Sequence, residues 1–236
     1  MEAFIGETIA QRVQSVLARI RSAEEKAGRP SGSVRLVAAT KTVAVDRIQE
    51  GISAGLTILG ENRVQEALPK LAALAGTSVR WHFLGQLQRR KVRSVIGQFD
   101  LIHSVDSVDL AQEIERRAGE SGCRQGMLIE VNIGEEPTKA GIPPRNVVEA
   151  VRAMAEFPHL DIRGLMAIPP QTDDPEAARP YFKKLHDLAR EIVACTIRSV
   201  SMEELSMGMS NDYEVAIEEG ATLVRVGSAI FGARHV

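Results

Sequence analysis

Val34-Arg35-Leu36-Val37-Ala38-Ala39-Thr40 is an apolar run rich enough in branched side chains for a buried strand. Val45, Ile48 and Ile52 then repeat at helical spacing until Gly55 closes the pattern. The pair is one βα unit, and the same punctuation recurs. Residues 56–60, 80–85, 100–105, 127–133, 162–168, 204–207 and 223–227 each read as a short strand, eight with the first. Helical stretches fall between them at 62–75, 86–98, 107–121, 144–157, 175–195 and 211–219. Eight alternating units in about 200–250 residues, without a Pro- or Ser-rich linker, predict an α/β fold: one closed (β/α)₈ TIM-type barrel. A doubly wound open sheet is the alternative.

Ile5, Ile9, Val13, Val16, Leu17 and Ile20 predict an amphipathic helix over 4–27, ended by Gly28 and Pro30, before the first strand. After the eighth strand only Ala229 to Val236 remain, too few for a closing helix. The N-terminal helix is therefore expected to take the eighth outer position, and residues 1–236 to form a single domain.

The chain is 44% hydrophobic and 25% charged, which excludes a disordered, collagen-like or disulfide-stapled protein. With 29 Lys and Arg against 31 Asp and Glu the net charge is −2, so no excess of positive charge argues for nucleic acid or an anionic membrane surface as partner. Cys123 and Cys195 stand in no CxxC pair and near no His at metal-ligand spacing, so both are expected as reduced thiols without a metal. No apolar run approaches the roughly 18 residues of a membrane span. A cytoplasmic monomer is the expectation.

In such a barrel the reactive groups stand at strand C-termini. Lys41 is the first charged group after Leu36–Thr40, at a depth where its amine can be desolvated and its pKa lowered, as a Schiff-base lysine requires. Taken alone, the strand more often produces a lysine that snorkels out of the rim. Leu223-Val224-Arg225-Val226-Gly227-Ser228 delivers Arg225 inward, with Gly227 and Ser228 just past the strand end where these barrels hold phosphate. Ser210 is placed as N-cap of the 211–219 helix, whose first N–H groups face an anion; plain capping is compatible with that role. Met207 and Met209 read as core filling.

Asn62 follows the second strand and can reach a ligand across the mouth, although a lone Asn there is more often a helix cap. In Trp81-His82-Phe83-Leu84-Gly85 one large side chain is expected to fill the barrel, with His82 a hydrogen-bonded structural histidine. Arg89-Arg90-Lys91-Val92-Arg93 reads as a solvated helical face. No pair of His or carboxylate residues announces acid–base chemistry.

Together, Leu36-Val37-Ala38-Ala39-Thr40-Lys41-Thr42, Gly60-Glu61-Asn62-Arg63-Val64-Gln65-Glu66, Trp81-His82-Phe83-Leu84-Gly85-Gln86-Leu87-Gln88, Arg163-Gly164-Leu165-Met166-Ala167-Ile168-Pro169, Leu205-Ser206-Met207-Gly208-Met209-Ser210 and Arg225 to Arg234 form six ordered motifs over nearly the whole chain. They resemble the pyridoxal phosphate homeostasis proteins, a family with the fold of the N-terminal barrel of alanine racemase. The resemblance implies pyridoxal 5′-phosphate as cofactor, held by Lys41 as a Schiff base. It also implies a phosphate cradle of Ser210, Gly227 and Ser228, Arg225 at the pyridine nitrogen, and Asn62 beside the ring. Two departures lie on the rim: Arg89 and Arg90 replace smaller polar residues, and Pro137-Thr138 stands where a serine often precedes the lysine matching Lys139.

The resemblance implies a cofactor-handling protein, supplying acceptor apoenzymes, without robust turnover. The alternative is an amino-acid racemase. Racemisation needs a second base opposite the lysine; in alanine racemase a tyrosine from a C-terminal domain of the partner subunit serves. The tyrosines here are Tyr181, in an expected outer helix, and Tyr213, just after Ser210, which can point either way. An arginine at the pyridine nitrogen keeps that nitrogen unprotonated and weakens the ring as an electron sink.

Overall fold

Each of the eight apolar runs forms a strand, and the strands close into one parallel barrel in chain order, with β8 returning to β1. The computed structural model describes residues 6–232. The order is α1 (Ile9–Lys26), β1 (Arg35–Ala39), α2 (Val45–Ser53), β2 (Ile58–Glu61), α3 (Val64–Ala73), β3 (Arg80–Phe83), a 3₁₀ segment (Arg89–Ser94), β4 (Leu101–Val105), α4 (Val108–Glu120) and β5 (Gln125–Val131). Then follow α5 (Pro144–Met154), β6 (Leu160–Ala167), a 3₁₀ turn (Pro175–Ala178), α6 (Arg179–Ala194), β7 (Val200–Ser206), α7 (Tyr213–Glu218), β8 (Leu223–Val226) and α8 (Ser228–Phe231).

Alternation along the strands divides the buried side chains into two sets. Val37, Ile58, Leu84, Leu101, Leu128, Met166 and Leu223 meet inside the barrel, while a larger set, including Leu36, Leu59, Trp81, Phe83 and Ile102, packs outward under the helices. Trp81 and Phe83 are thus on the helix side, and the member of that segment that fills the barrel is Leu84. The inward position of β3 belongs to His82, because residues 81 and 83 share a parity that 82 does not.

Thr8 caps α1 in a reciprocal box with Gln11, and Val13, Val16 and Ile20 bury one stripe of it, each contributing about 1.5–3 kcal/mol by withdrawal from water. The helix packs against α2, α7 and α8, which is the eighth outer position expected for it. Residues 4 and 5 of the expected helix, and Ala233 and Arg234 of the last motif, lie outside the described residues.

The expected helix over 86–98 is replaced by the 3₁₀ segment Arg89–Ser94. Val92, Val95 and Ile96 are buried at spacings of three and four, which a helix would also show, but Lys91 N–H donates to Gln88 and Val95 N–H to Val92, closing tighter turns. Strand β7 starts at Val200, earlier than expected, because its first residues are partly exposed and break the apolar run. No helix among the described residues is long and apolar enough to cross a membrane.

Candidate functional site

Parallel register brings the predicted residues to one rim. Ala39 lies opposite Gly60, Gly60 opposite His82, and Ala38 opposite Val226, so the loops leaving β1, β2, β3 and β8 start at neighbouring heights. Lys41, half-buried, is the second residue past β1. The residue before it is fixed by a buried network: Thr40 Oγ1 donates to Glu61 Oε1 at 2.6 Å, and Lys70 Nζ donates to both the Thr40 carbonyl and Glu61 Oε1 at 2.7 Å. Glu61 Oε2 is buried without a hydrogen-bond partner. Asn62 follows Glu61 directly, and its backbone lies so close to Gly85 that a Cβ there would stand 2.0 Å from the Asn62 carbonyl oxygen.

Across the mouth, Gly227 N–H points at Ser210 Oγ over 3.4 Å, and exposed Ser228 follows at the start of α8. A Cβ on Gly227 would meet the Ala39 carbonyl oxygen at 3.1 Å, so glycine keeps this backbone against the end of β1. The structure therefore joins Ser210, Gly227 and Ser228 in one cluster beside the strand that leads to Lys41. Ser210 is not the cap of α7. Asp212 occupies that position, and its Oδ1 accepts the Met209 N–H at 2.6 Å, closing a turn that leaves Ser210 free of the helix start. Three consecutive cap-forming residues, Ser210, Asn211 and Asp212, made the choice illegible from sequence.

Arg225 projects into the barrel, 6% exposed, with Nη1 donating to Ser206 Oγ at 2.6 Å and Nη2 to the Ala167 carbonyl at 3.0 Å. Burial lowers its pKa to about 10, against the support of Asp212 and Glu130, so it remains a cation at neutral pH. His82 and His103 lie beside it in the barrel: His103 Nδ1 is 2.8 Å from Ser206 Oγ and its Nε2 is 2.9 Å from His82 Nδ1. The structural reading of His82 holds. Burial pushes His82 down to about 3 and His103 well below its ordinary value, and nearby arginines act in the same direction.

Sequence reading missed Glu130. Burial first, and the Asp106 charge second, raise its carboxyl to about 7, with Arg225 opposing. The signal was a lone acid inside Met127-Leu128-Ile129-Glu130-Val131. Ser206 and His103 carried the same kind of signal, a polar residue within an apolar strand. Tyr213 turns away from this chemistry: it is 1% exposed, its ring lies 5.3 Å from the Arg19 guanidinium of α1, and its buried hydroxyl has no hydrogen-bond partner. Burial pushes that hydroxyl up to about 12.

The model of the alanine racemase N-terminal domain family matches residues 12–235. A protein of Aquifex aeolicus named pyridoxal phosphate homeostasis protein is 47% identical over 224 residues, covering 95% of this chain and 97% of its own. The chain belongs to the pyridoxal phosphate homeostasis protein family. A Pseudomonas aeruginosa member is 39% identical over 227 residues, with 96% of both chains covered. PipY of Synechococcus elongatus, solved with pyridoxal phosphate bound, shares 36% identity and a TM-score of 0.83 over 95% of this chain and all of its own.

Proposed function

We propose that this protein binds pyridoxal 5′-phosphate at the barrel mouth and serves its storage and delivery, with Lys41, Asn62, Ser210, Arg225, Gly227 and Ser228 as the binding residues. The observation that carries this reading is the convergence of a rim lysine, a buried arginine and a serine–glycine–serine cluster on neighbouring strand ends. The donor set fits the group. Ser210 and Ser228 hydroxyls and the Gly227 N–H suit a phosphate, and the glycine keeps that face open where a Cβ would press on Ala39. When bound, pyridoxal phosphate supplies an aldehyde that a primary amine takes up reversibly, together with an aromatic nitrogen heterocycle.

The Lys41 amine would hold the aldehyde carbon, while the Thr40–Glu61–Lys70 network fixes the backbone from which Lys41 projects. Arg225, which remains a cation, would donate to the ring nitrogen and so keep it unprotonated. A ring so held is a weak electron sink, a feature that carriage and racemisation share, so it does not by itself separate them. The orientation of Tyr213 supports carriage, since the tyrosine nearest the site in sequence packs on α1. The holder is expected to act in the cytoplasm and to supply acceptor apoenzymes.

Racemisation is the second reading, and Glu130 favours it, being a mouth-side carboxyl that titrates near neutrality. Deuterium exchange at the α-carbon of alanine in D₂O decides between them. Exchange with inversion of configuration at ordinary enzyme rates of about 1–10³ s⁻¹, lost in both Lys41→Ala and Glu130→Gln, would favour the racemase. For the binding itself, borohydride reduction of the loaded protein followed by peptide mapping should place the cofactor on Lys41; a label on another lysine refutes the site.

A further inference from the structure

Four buried polar side chains cross the barrel interior in a single line: Arg225 on β8, Ser206 on β7, His103 on β4 and His82 on β3. Ser206 and His103 are fully buried and His82 is 3% exposed. Burying such groups is costly unless each is hydrogen-bonded, and neighbouring inward positions are filled by Leu101, Leu128, Met166 and Leu223, so apolar packing was open to this fold.

Only one direction gives the buried Ser206 proton a partner among the contacts of this line. Arginine only donates, so Ser206 Oγ accepts from Nη1 and its own proton goes to His103 Nδ1. His103 then carries its proton on Nε2 and donates it to His82 Nδ1, which leaves the His82 proton on Nε2. Both rings stay neutral because burial and the surrounding arginines disfavour their charged forms. A protonated His103 would donate from both nitrogens and leave the buried Ser206 hydroxyl proton without an acceptor on this line. The hydroxyl is thereby locked as an acceptor toward Arg225, and with the Ala167 carbonyl it holds the guanidinium from two sides.

We propose that Ser206, His103 and His82 are positioning residues that aim Arg225 at the ring nitrogen of bound pyridoxal phosphate. This rests on the cofactor reading above. The apolar alternative would leave the guanidinium tethered by Ala167 alone, able to swing while still buried. The hydrogen bonds of the three run along this line to Arg225, so their effect is expected at the ring contact.

The test compares equilibrium binding of pyridoxal phosphate and of its 1-deaza analogue, in which a C–H replaces the ring nitrogen. The wild-type protein should prefer the nitrogen-bearing form by roughly 10- to 100-fold, the range of one hydrogen bond to a charged group. In His103→Leu and Ser206→Ala that preference should fall to within about 2-fold through weaker pyridoxal phosphate binding, with the analogue bound as in the wild type, which also verifies the fold. His103→Gln, whose amide can accept from Ser206 and donate to His82, should recover most of the preference. Ser206→Ala conserves volume and keeps the test valid should His103→Leu fail to fold. Full preference in folded Ser206→Ala or His103→Leu overturns the proposal and leaves the Arg225 contact standing. A wild-type protein that does not distinguish the two ligands, like Arg225→Ala, overturns the ring contact and the proposal with it.

Discussion

Glu130 is a carboxyl withdrawn from water with Asp106 opposing its charge and Arg225 favouring it, and burial decides the balance. Its folded pKa of about 7 exceeds the ordinary 4.5, so the folded protein holds a proton that the unfolded chain releases between those values. Stability therefore declines as pH rises from about 4.5 to 7 and loses nothing further above it. Glu130→Gln removes the ionisation while keeping the shape. Denaturant unfolding of the cofactor-free protein should show it more stable than the wild type by roughly 1–3 kcal/mol at pH 8, with the difference vanishing near pH 4. An equal pH profile for the two proteins would place Glu130 in water. Arg225 shows the other outcome of burial: its pKa is lowered, yet it stays charged because an arginine starts so high.

At the scale of elements, the end of β1 is built by its neighbours. Glu61 at the end of β2 and Lys70 in α3 form a 2.7 Å ion pair, and both also bind Thr40, so three elements fix the residue before Lys41. Lys70→Met strands a buried carboxylate and should cost about 3–5 kcal/mol in thermal or chemical unfolding, whereas Lys70→Met combined with Glu61→Gln should recover much of the loss. Additive losses would mean that the two groups do not depend on each other. This pair also marks where the sequence stops being readable. Strands announced themselves as apolar runs, and Lys41, Arg225 and Gly227 could be singled out because each stands near a strand end. Glu61 and Lys70 carried no mark of their pairing, since nothing local says that residue 70 folds back onto residue 40. The 86–98 stretch failed for a related reason: buried residues three and four apart serve a 3₁₀ turn as well as a helix. Ser210 failed because the backbone chose the neighbouring Asp212 as cap, a decision made by the Met209 amide.

Over the whole molecule, closure of the barrel joins the two ends of the described chain: β8 pairs with β1, which sets Gly227 against Ala39 and the Ser210–Gly227–Ser228 cluster beside the lysine loop. The proposed site would divide binding between a hydrolysable bond at one strand end and hydrogen bonds from neutral donors at another. The division predicts that Ser210→Ala combined with Ser228→Ala speeds cofactor loss in stopped-flow dilution at least about 10-fold, as two hydrogen bonds to a charged group allow, with an unaltered circular dichroism spectrum. Unchanged loss would remove both serines from the cradle. The central claim, that the protein surrenders its cofactor while folded, is tested most directly by mixing the loaded protein with an apo-transaminase and following recovered activity beside an equal amount of free pyridoxal phosphate, each with and without a scavenger for the free form. Delivery predicts recovery from the loaded protein at a rate that competing free amine increases, with its fluorescence and fold intact throughout. Loaded protein that yields no active transaminase until it is denatured would contradict the account.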